Sequence, residues 1–182
     1  MDLFYSIFIC VGLSGGIIYI LDKFKDFITD MLLIVFYKKV RKFVLNNLDI
    51  IPVDKIENAH GFYNRKCHLN AYNEFITKNG HLSDNIKIIV CVFMDKNQKD
   101  EMGIHFINYE VNNDRYYDCT FGCDAIISND LYYIDTVTVD KEYYINMNQL
   151  LMQYKYWLID KSIKNKLIRK IYYYLEDNYT II

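Results

Sequence analysis

Nineteen uncharged residues, LFYSIFICVGLSGGIIYIL at 3–21, open the chain, and the period of apolar and polar positions changes several times after them. At about 1.5 Å rise per residue such a run spans a hydrocarbon core of about 30 Å, so the pattern predicts a transmembrane anchor over residues 1–25. No cation precedes the run and no small-x-small site closes it, which separates it from a cleaved signal peptide. The cations follow it, at Lys23, Lys25, Lys38, Lys39, Arg41 and Lys42. Positive-inside bias then implies a single-pass membrane protein with its C-terminal domain on the cytosolic side. Gly12 and Gly16 form a GxxxG pair through which two copies would approach as a homodimer; small residues tolerated in lipid explain the same pair.

Apolar residues at 27, 28, 31, 32, 35 and 36 fit the helical period and predict a second, connecting helix within 26–50. Its uncharged run from Met31 to Tyr37 is too short to span, so it lies on the membrane or against the domain. DIIP ends at the only proline, and the compact domain is expected over 51–182. Within it, Cys67 to Lys78 reads as a helix closed by Asn79-Gly80. The apolar, β-branched IKIIVCVFM (86–94) predicts a buried strand. GIHFINYEV and RYYDCTF flank Asn112-Asn113-Asp114 and predict a β-hairpin. YYIDTVTV (132–139) predicts another strand, and residues 148–178 are helical with an aromatic stripe read as packing. Helix, antiparallel strands, then helix gives an α+β class.

Composition narrows the function classes. A net charge of −2 and a pI near 6.1 give the whole chain no attraction for phosphate backbones, so no nucleic-acid partner is expected. Five cysteines, Cys10, Cys67, Cys91, Cys119 and Cys123, are odd in number and lack framework spacing, which argues against a disulfide scaffold. The Lys-, Asn-, Ile- and Tyr-rich composition suggests a viral source.

The candidate chemistry lies in RKCHLNAYNEF (65–75) and in the hairpin. With Asn112-Asn113 as the turn, Asp118 falls opposite Ile107, on the face of His105 and diagonal to it, within reach of a hydrogen bond. With Asn113-Asp114 as the turn, Asp118 faces Tyr109 and is too far. In the closer register, Cys67 at a helix start becomes a thiolate favoured by the helix dipole, by a His105 imidazolium and more weakly by Arg65 and Lys66. Asp118 then fixes the tautomer of His105, which serves as base and later as acid. Backbone N–H groups at the helix start are natural oxyanion donors, with His60, Asn64 and His68 as side-chain candidates, although His68 and His81 also read as surface positions. A competing reading puts zinc on Cys119 and Cys123 (C-x3-C) with His105 and Cys67; alternation along the strand turns Cys119 away from Asp118 and disfavours it. No metal or cofactor is therefore expected.

KCHLNAYNEF followed by GIHFINYEVNNDRYYDCTFG resembles the core of the papain-like and transglutaminase-like cysteine enzymes, in which a helix-start Cys, a strand His and an Asp on the next strand occur in that order. The Asp-x-Thr of YYDCT is similar to the Asp-Pro-Thr of transglutaminase-like domains, and the Cys-to-His spacing with DCTFG is similar to that of arylamine N-acetyltransferases. The resemblance covers residues 58–125, without the Gln that papain-type enzymes place before Cys. It implies a papain-like or transglutaminase-like α+β core, a helix-start Cys packed on an antiparallel sheet, with Cys67, His105 and Asp118 catalytic. The expected function is a membrane-anchored thiol hydrolase or acyltransferase acting on a peptide or other amide-bearing substrate. A catalytically idle fold kept as a membrane-tethered binding or assembly module is the alternative.

Overall fold

A computed structural model of the chain describes residues 2–52, 56–57, 66–79, 85–96, 101–120, 129–138, 146–179 and 181–182, with backbone alone at 2–22, 57, 77–79 and 179. The chain divides into two compact units, residues 1–36 and 37–182. Where the pattern predicts two N-terminal helices, one forms: α1, Asp2–Asn47. Asp22 and Lys23 do not break it, because charged residues are ordinary helix formers and neither Gly nor Pro follows them.

This continuity bears on the expected anchor. Among the described residues no helix is long and apolar enough to cross a membrane. The single-pass transmembrane helix over 1–25 and the single-pass placement with the C-terminal domain on the cytosolic side are corrected accordingly. The charge-free run is not an element of its own: α1 continues through Lys23, Lys25, Asp26 and Asp30 within the next few turns. The side chains around Gly12 and Gly16 lie outside the described residues. In the first unit the described apolar side chains of α1 are largely exposed, Phe24 at 63% and Phe27 at 58%.

The second unit begins with the last turns of α1, where Val40 and Val44 are buried and Phe43 meets Trp157 edge-on at 5.9 Å. Its sheet contains β1 (Ile56–Glu57), β2 (Ile86–Asp95), β3 (Met102–Glu110), β4 (Arg115–Tyr117) and β5 (Asn129–Val137), in the order β1-β4-β3-β2-β5. All pairs are antiparallel except β1 with β4. The apolar run of β2 is explained by its central place, since a strand covered on both faces needs apolar side chains on both. Helix α2 (Cys67–Asn79) packs across β3 and β2; α3 (Met147–Ser162) lies against α2, and α4 (Lys166–Tyr179) against α3. The α+β class is therefore observed.

Residues 148–178, expected as one helical stretch, are two helices separated at Ile163. Asn165 starts the second by accepting from the N–H groups of Leu167 and Ile168 at 2.9 and 3.2 Å, as an N-cap does. The hairpin turn positions the site. Residues 111–114 form it, with Asp114 in the left-handed region at φ 50°, a conformation Asp tolerates. Pairing then runs Glu110↔Arg115, Tyr109↔Tyr116 and Asn108↔Tyr117. Continued by one step, this register sets Asp118 opposite Ile107, the closer of the two alternatives.

Candidate functional site

Strand β4 stops at Tyr117, opposite Asn108, so the first half of β3 has no strand partner on that side among the described residues. An open strand edge presents unpaired backbone N–H groups. The start of α2 fills this edge. The Cys67 sulfur meets the ring of His105 and the backbone N–H of Phe106, with the His68 ring also near it. Helix α2 is fastened there by two amides: Asn108 Nδ2 donates to Ala71 O at 2.9 Å, and Asn70 Nδ2 to Thr120 Oγ1 at 3.1 Å. Its first internal bond runs from Asn70 N to Lys66 O, leaving the N–H groups of Cys67, His68 and Leu69 outside the helical ladder and pointed towards the sulfur's end of the helix.

His105 is 1% exposed and gives Nε2–H to Asp118 Oδ2 at 2.6 Å, so that Nδ1 serves the Cys67 sulfur. Asp118 is itself held, its Oδ1 accepting from Thr120 N at 2.7 Å in an Asx turn. Phe93, the cross-strand partner of Gly103, meets the His105 ring edge-on at 6.1 Å and 83°. A Cβ on Gly103 would lie 2.7 Å from Phe93 Cε1, so the glycine makes room for the aromatic that steadies the imidazole.

These contacts set the charges. Burial pushes the Cys67 thiol up, but the charge and hydrogen bond of His105, with His68 and the Phe106 N–H, outweigh it and bring the sulfur down to about 6. Burial also disfavours the His105 cation, but Asp118 and then Cys67 raise it to about 10. Between those values the resting pair is thiolate and imidazolium. Cys91, directly across from His105, is the contrast: fully buried, it is pushed well above the ordinary thiol range and stays neutral.

Of the side-chain oxyanion candidates, His60 and Asn64 lie outside the described residues, as do Arg65 and His81. His68, read also as a surface position, is buried at 7% exposure, because α3 covers this end of α2. Its Nε2 lies 2.8 Å from Asn148 Oδ1, and its ring meets Phe106 edge-on at 6.2 Å. Cys119 has its sulfur 3.9 Å from Asn108 Oδ1 and packs with Ile86 and Tyr117. Cys123 lies outside the described residues, and among those described no three His, Cys, Asp or Glu side chains are grouped to hold a metal.

Asn148, Phe93 and the Phe106 N–H belong to the site but carry no sequence motif, whereas Thr120 is the Thr of Asp-x-Thr. Asn70, one helical turn after Cys67 and on its face, is the member a spacing argument reaches. No family model matches the chain, and neither a curated protein nor a solved structure matches it. The hydrolase class and the viral source expected from sequence therefore have no relative behind them, and the viral reading is dropped.

Proposed function

We propose that this protein transfers acyl groups through Cys67, opening an amide or ester and forming a thioester on the sulfur. The observation that supports the reading best is the continuous chain from Asp118 through His105 to a sulfur at the start of a helix. The thiolate attacks the carbonyl carbon, the C–S bond forms, and the π pair moves onto oxygen. As this pair returns, the bond to the leaving nitrogen or oxygen breaks, and His105 Nδ1–H supplies the proton the leaving group needs. Water or another acceptor then attacks the thioester, giving its proton back to Nδ1 and releasing Cys67. Asp118 holds the Nε2–H tautomer and stabilises the imidazolium throughout. The chain order Cys67, His105, Asp118 is also the order that the papain-like and transglutaminase-like resemblance implies.

One observation favours the alternative, an idle fold used for binding: Cys67 is only 8% exposed. Labelling with iodoacetamide, followed by mass spectrometry of each cysteine, separates the two. An acyl-transfer site predicts stoichiometric alkylation of Cys67 near pH 7, well ahead of Cys91 and Cys119, and complete loss of p-nitrophenyl acetate turnover in Cys67→Ala with the melting temperature kept. Alkylation of Cys67 should rise with pH through about 6, as the thiolate forms. Turnover of an amide should fall as pH rises through about 10, where His105 loses the proton it must donate. Labelling of Cys67 no faster than that of Cys91 would remove the enzymatic reading.

A further inference from the structure

His68 is more than nine-tenths buried, and its Nδ1 has no hydrogen-bond partner among the described residues. Leaving a buried polar nitrogen unpaired costs stability, and such a group asks for an explanation. Its other nitrogen is engaged: Asn148 Oδ1 can only accept, so the 2.8 Å contact requires His68 to carry Nε2–H. In the neutral ring Nδ1 is then a bare lone pair. Only the imidazolium has an Nδ1–H to donate.

We propose that His68 is the oxyanion donor of the acyl-transfer step, held in one tautomer by Asn148 and able to donate only when protonated. The inference rests on the acyl-transfer reading of Cys67 and adds to it the residue that stabilises the tetrahedral intermediate. When the C–S bond forms, negative charge leaves the sulfur and appears on the carbonyl oxygen beside it. A donor that meets no acceptor in good geometry in the resting site, and is engaged fully only by that oxygen, stabilises the transition state more than the ground state. No proton is transferred to the oxygen; the hydrogen bond forms as the charge arrives and is lost when the π pair returns.

The groups around His68 fit this role. The Cys67 sulfur lies close enough to raise its pKa without meeting Nδ1 in good hydrogen-bond geometry, burial lowers it, and Asn148 raises it. Lys155 on α3 acts in the opposite sense, but its ammonium is paired with Glu176 at 2.7 Å. From β3 the neighbour is the uncharged ring of Phe106. The net direction is upward, in favour of the cation.

Two reagents separate the oxyanion from the thiolate. Iodoacetamide is displaced at a saturated carbon and forms no oxyanion, whereas p-nitrophenyl acetate acylates the sulfur through one, with a leaving group that needs no proton. In full-length His68→Phe, alkylation of Cys67 measured well above the thiol's pKa of about 6, where the His105 cation alone keeps the thiolate formed, should stay close to wild type while the acylation burst slows by about 10²- to 10³-fold. Wild-type acylation should fall to a lower plateau as pH rises through the His68 pKa, a limb absent from alkylation. His68→Gln, whose amide donor does not titrate, should recover part of the rate without that limb. Asn148→Asp, which places an anion on Nε2–H, should move the limb to higher pH. Should His68→Phe not fold, the limb in these two variants decides the matter. Parallel loss of both rates would show that His68 acts on the thiolate alone, and an unchanged limb in His68→Gln would assign it elsewhere; either overturns the proposal. Failure of wild-type Cys67 to alkylate near neutral pH would instead remove the nucleophile, and the oxyanion role with it.

Discussion

Two buried ion pairs of nearly equal length occur in the second unit, and one of them faces a nucleophilic side chain, the Cys67 sulfur. His105–Asp118 closes at 2.6 Å with side chains 1% and 2% exposed; Lys155–Glu176, between α3 and α4, closes at 2.7 Å with 8% and 1%. Length and burial do not distinguish them. The difference lies in where the remaining polar atoms go. The second carboxylate oxygen of Glu176 accepts from the backbone N–H groups of Ile181 and Ile182 at 3.0 and 2.9 Å, so the pair fastens chain to chain. At the other pair, Asp118 is likewise tied to the backbone, but the second nitrogen of His105 faces a sulfur that changes charge near neutral pH. A buried pair serves as scaffold when its spare atoms meet the backbone, and serves a reaction when one of them meets a nucleophile.

The largest effect that would break this contrast is expected at Asp118. Asp118→Asn preserves the shape, but the amide can present a donor to His105 Nε2, favour the Nδ1–H tautomer and so remove the lone pair with which Nδ1 takes the proton of the Cys67 thiol. Acylation by p-nitrophenyl acetate should fall by roughly 10³- to 10⁴-fold. The alkylation profile of Cys67 should also shift to higher pH, because the His105 cation that lowers the thiol is itself held by Asp118. Labelling with an unchanged pH profile would make Asp118 another piece of scaffold.

The structural pair should respond in stability instead. Glu176→Gln leaves the Lys155 ammonium buried without its counter-charge, and breaking a buried pair from one side costs about 3–5 kcal/mol. In a chain of this size that lowers the melting temperature by about 10 °C. The folded fraction should still alkylate at Cys67 near the wild-type rate. A melt unchanged within error would show that the two pairs do not differ in the way argued.

How far the sequence reaches can be judged from the residues involved. The strands β2, β3 and β4 are legible, and turn chemistry at Asn112 to Asp114 with alternation along the strand narrows the β3–β4 hairpin to two registers, because both are local rules. One of the two brings Asp118 near His105, and choosing between them takes the observed pairing Glu110↔Arg115. The break between α3 and α4 is not, since the apolar positions keep their helical period across Ile163 and the cap depends on how Asn165 turns its side chain. The two-residue β1 is too short to carry a pattern. A hydrophobic run such as 3–21 reports composition and length, and those do not fix where a helix ends: α1 continues to Asn47. His68 is misplaced on the surface for a related reason, because what buries it is α3, about eighty residues away in sequence.

The smallest effect is expected at Cys119, and it sharpens the comparison by testing the neighbour of Asp118. Adjacent residues of an extended chain project to opposite faces, and Cys119 follows this rule: its sulfur contacts Asn108 Oδ1 at 3.9 Å and packs with Ile86 and Tyr117, while Asp118 faces His105. The contact is weak, and the side chain is small. Truncation in Cys119→Ala removes one buried atom from an apolar cluster, worth about 1 kcal/mol of stability. Because Asn108 also ties α2 to β3 through Ala71 O, a slight loosening of that amide is one path from Cys119 to the site, and the Asx turn that spans it is held by atoms of Asp118 and Thr120 that the substitution leaves in place. Alkylation and acylation at Cys67 should therefore stay within about twofold of wild type, less than 0.5 kcal/mol of coupling. A site built on a metal held by Cys119 predicts the reverse, with the domain unfolding and both rates lost together. Thermal melts in the presence and absence of a chelator, run beside the two rate measurements, distinguish the outcomes.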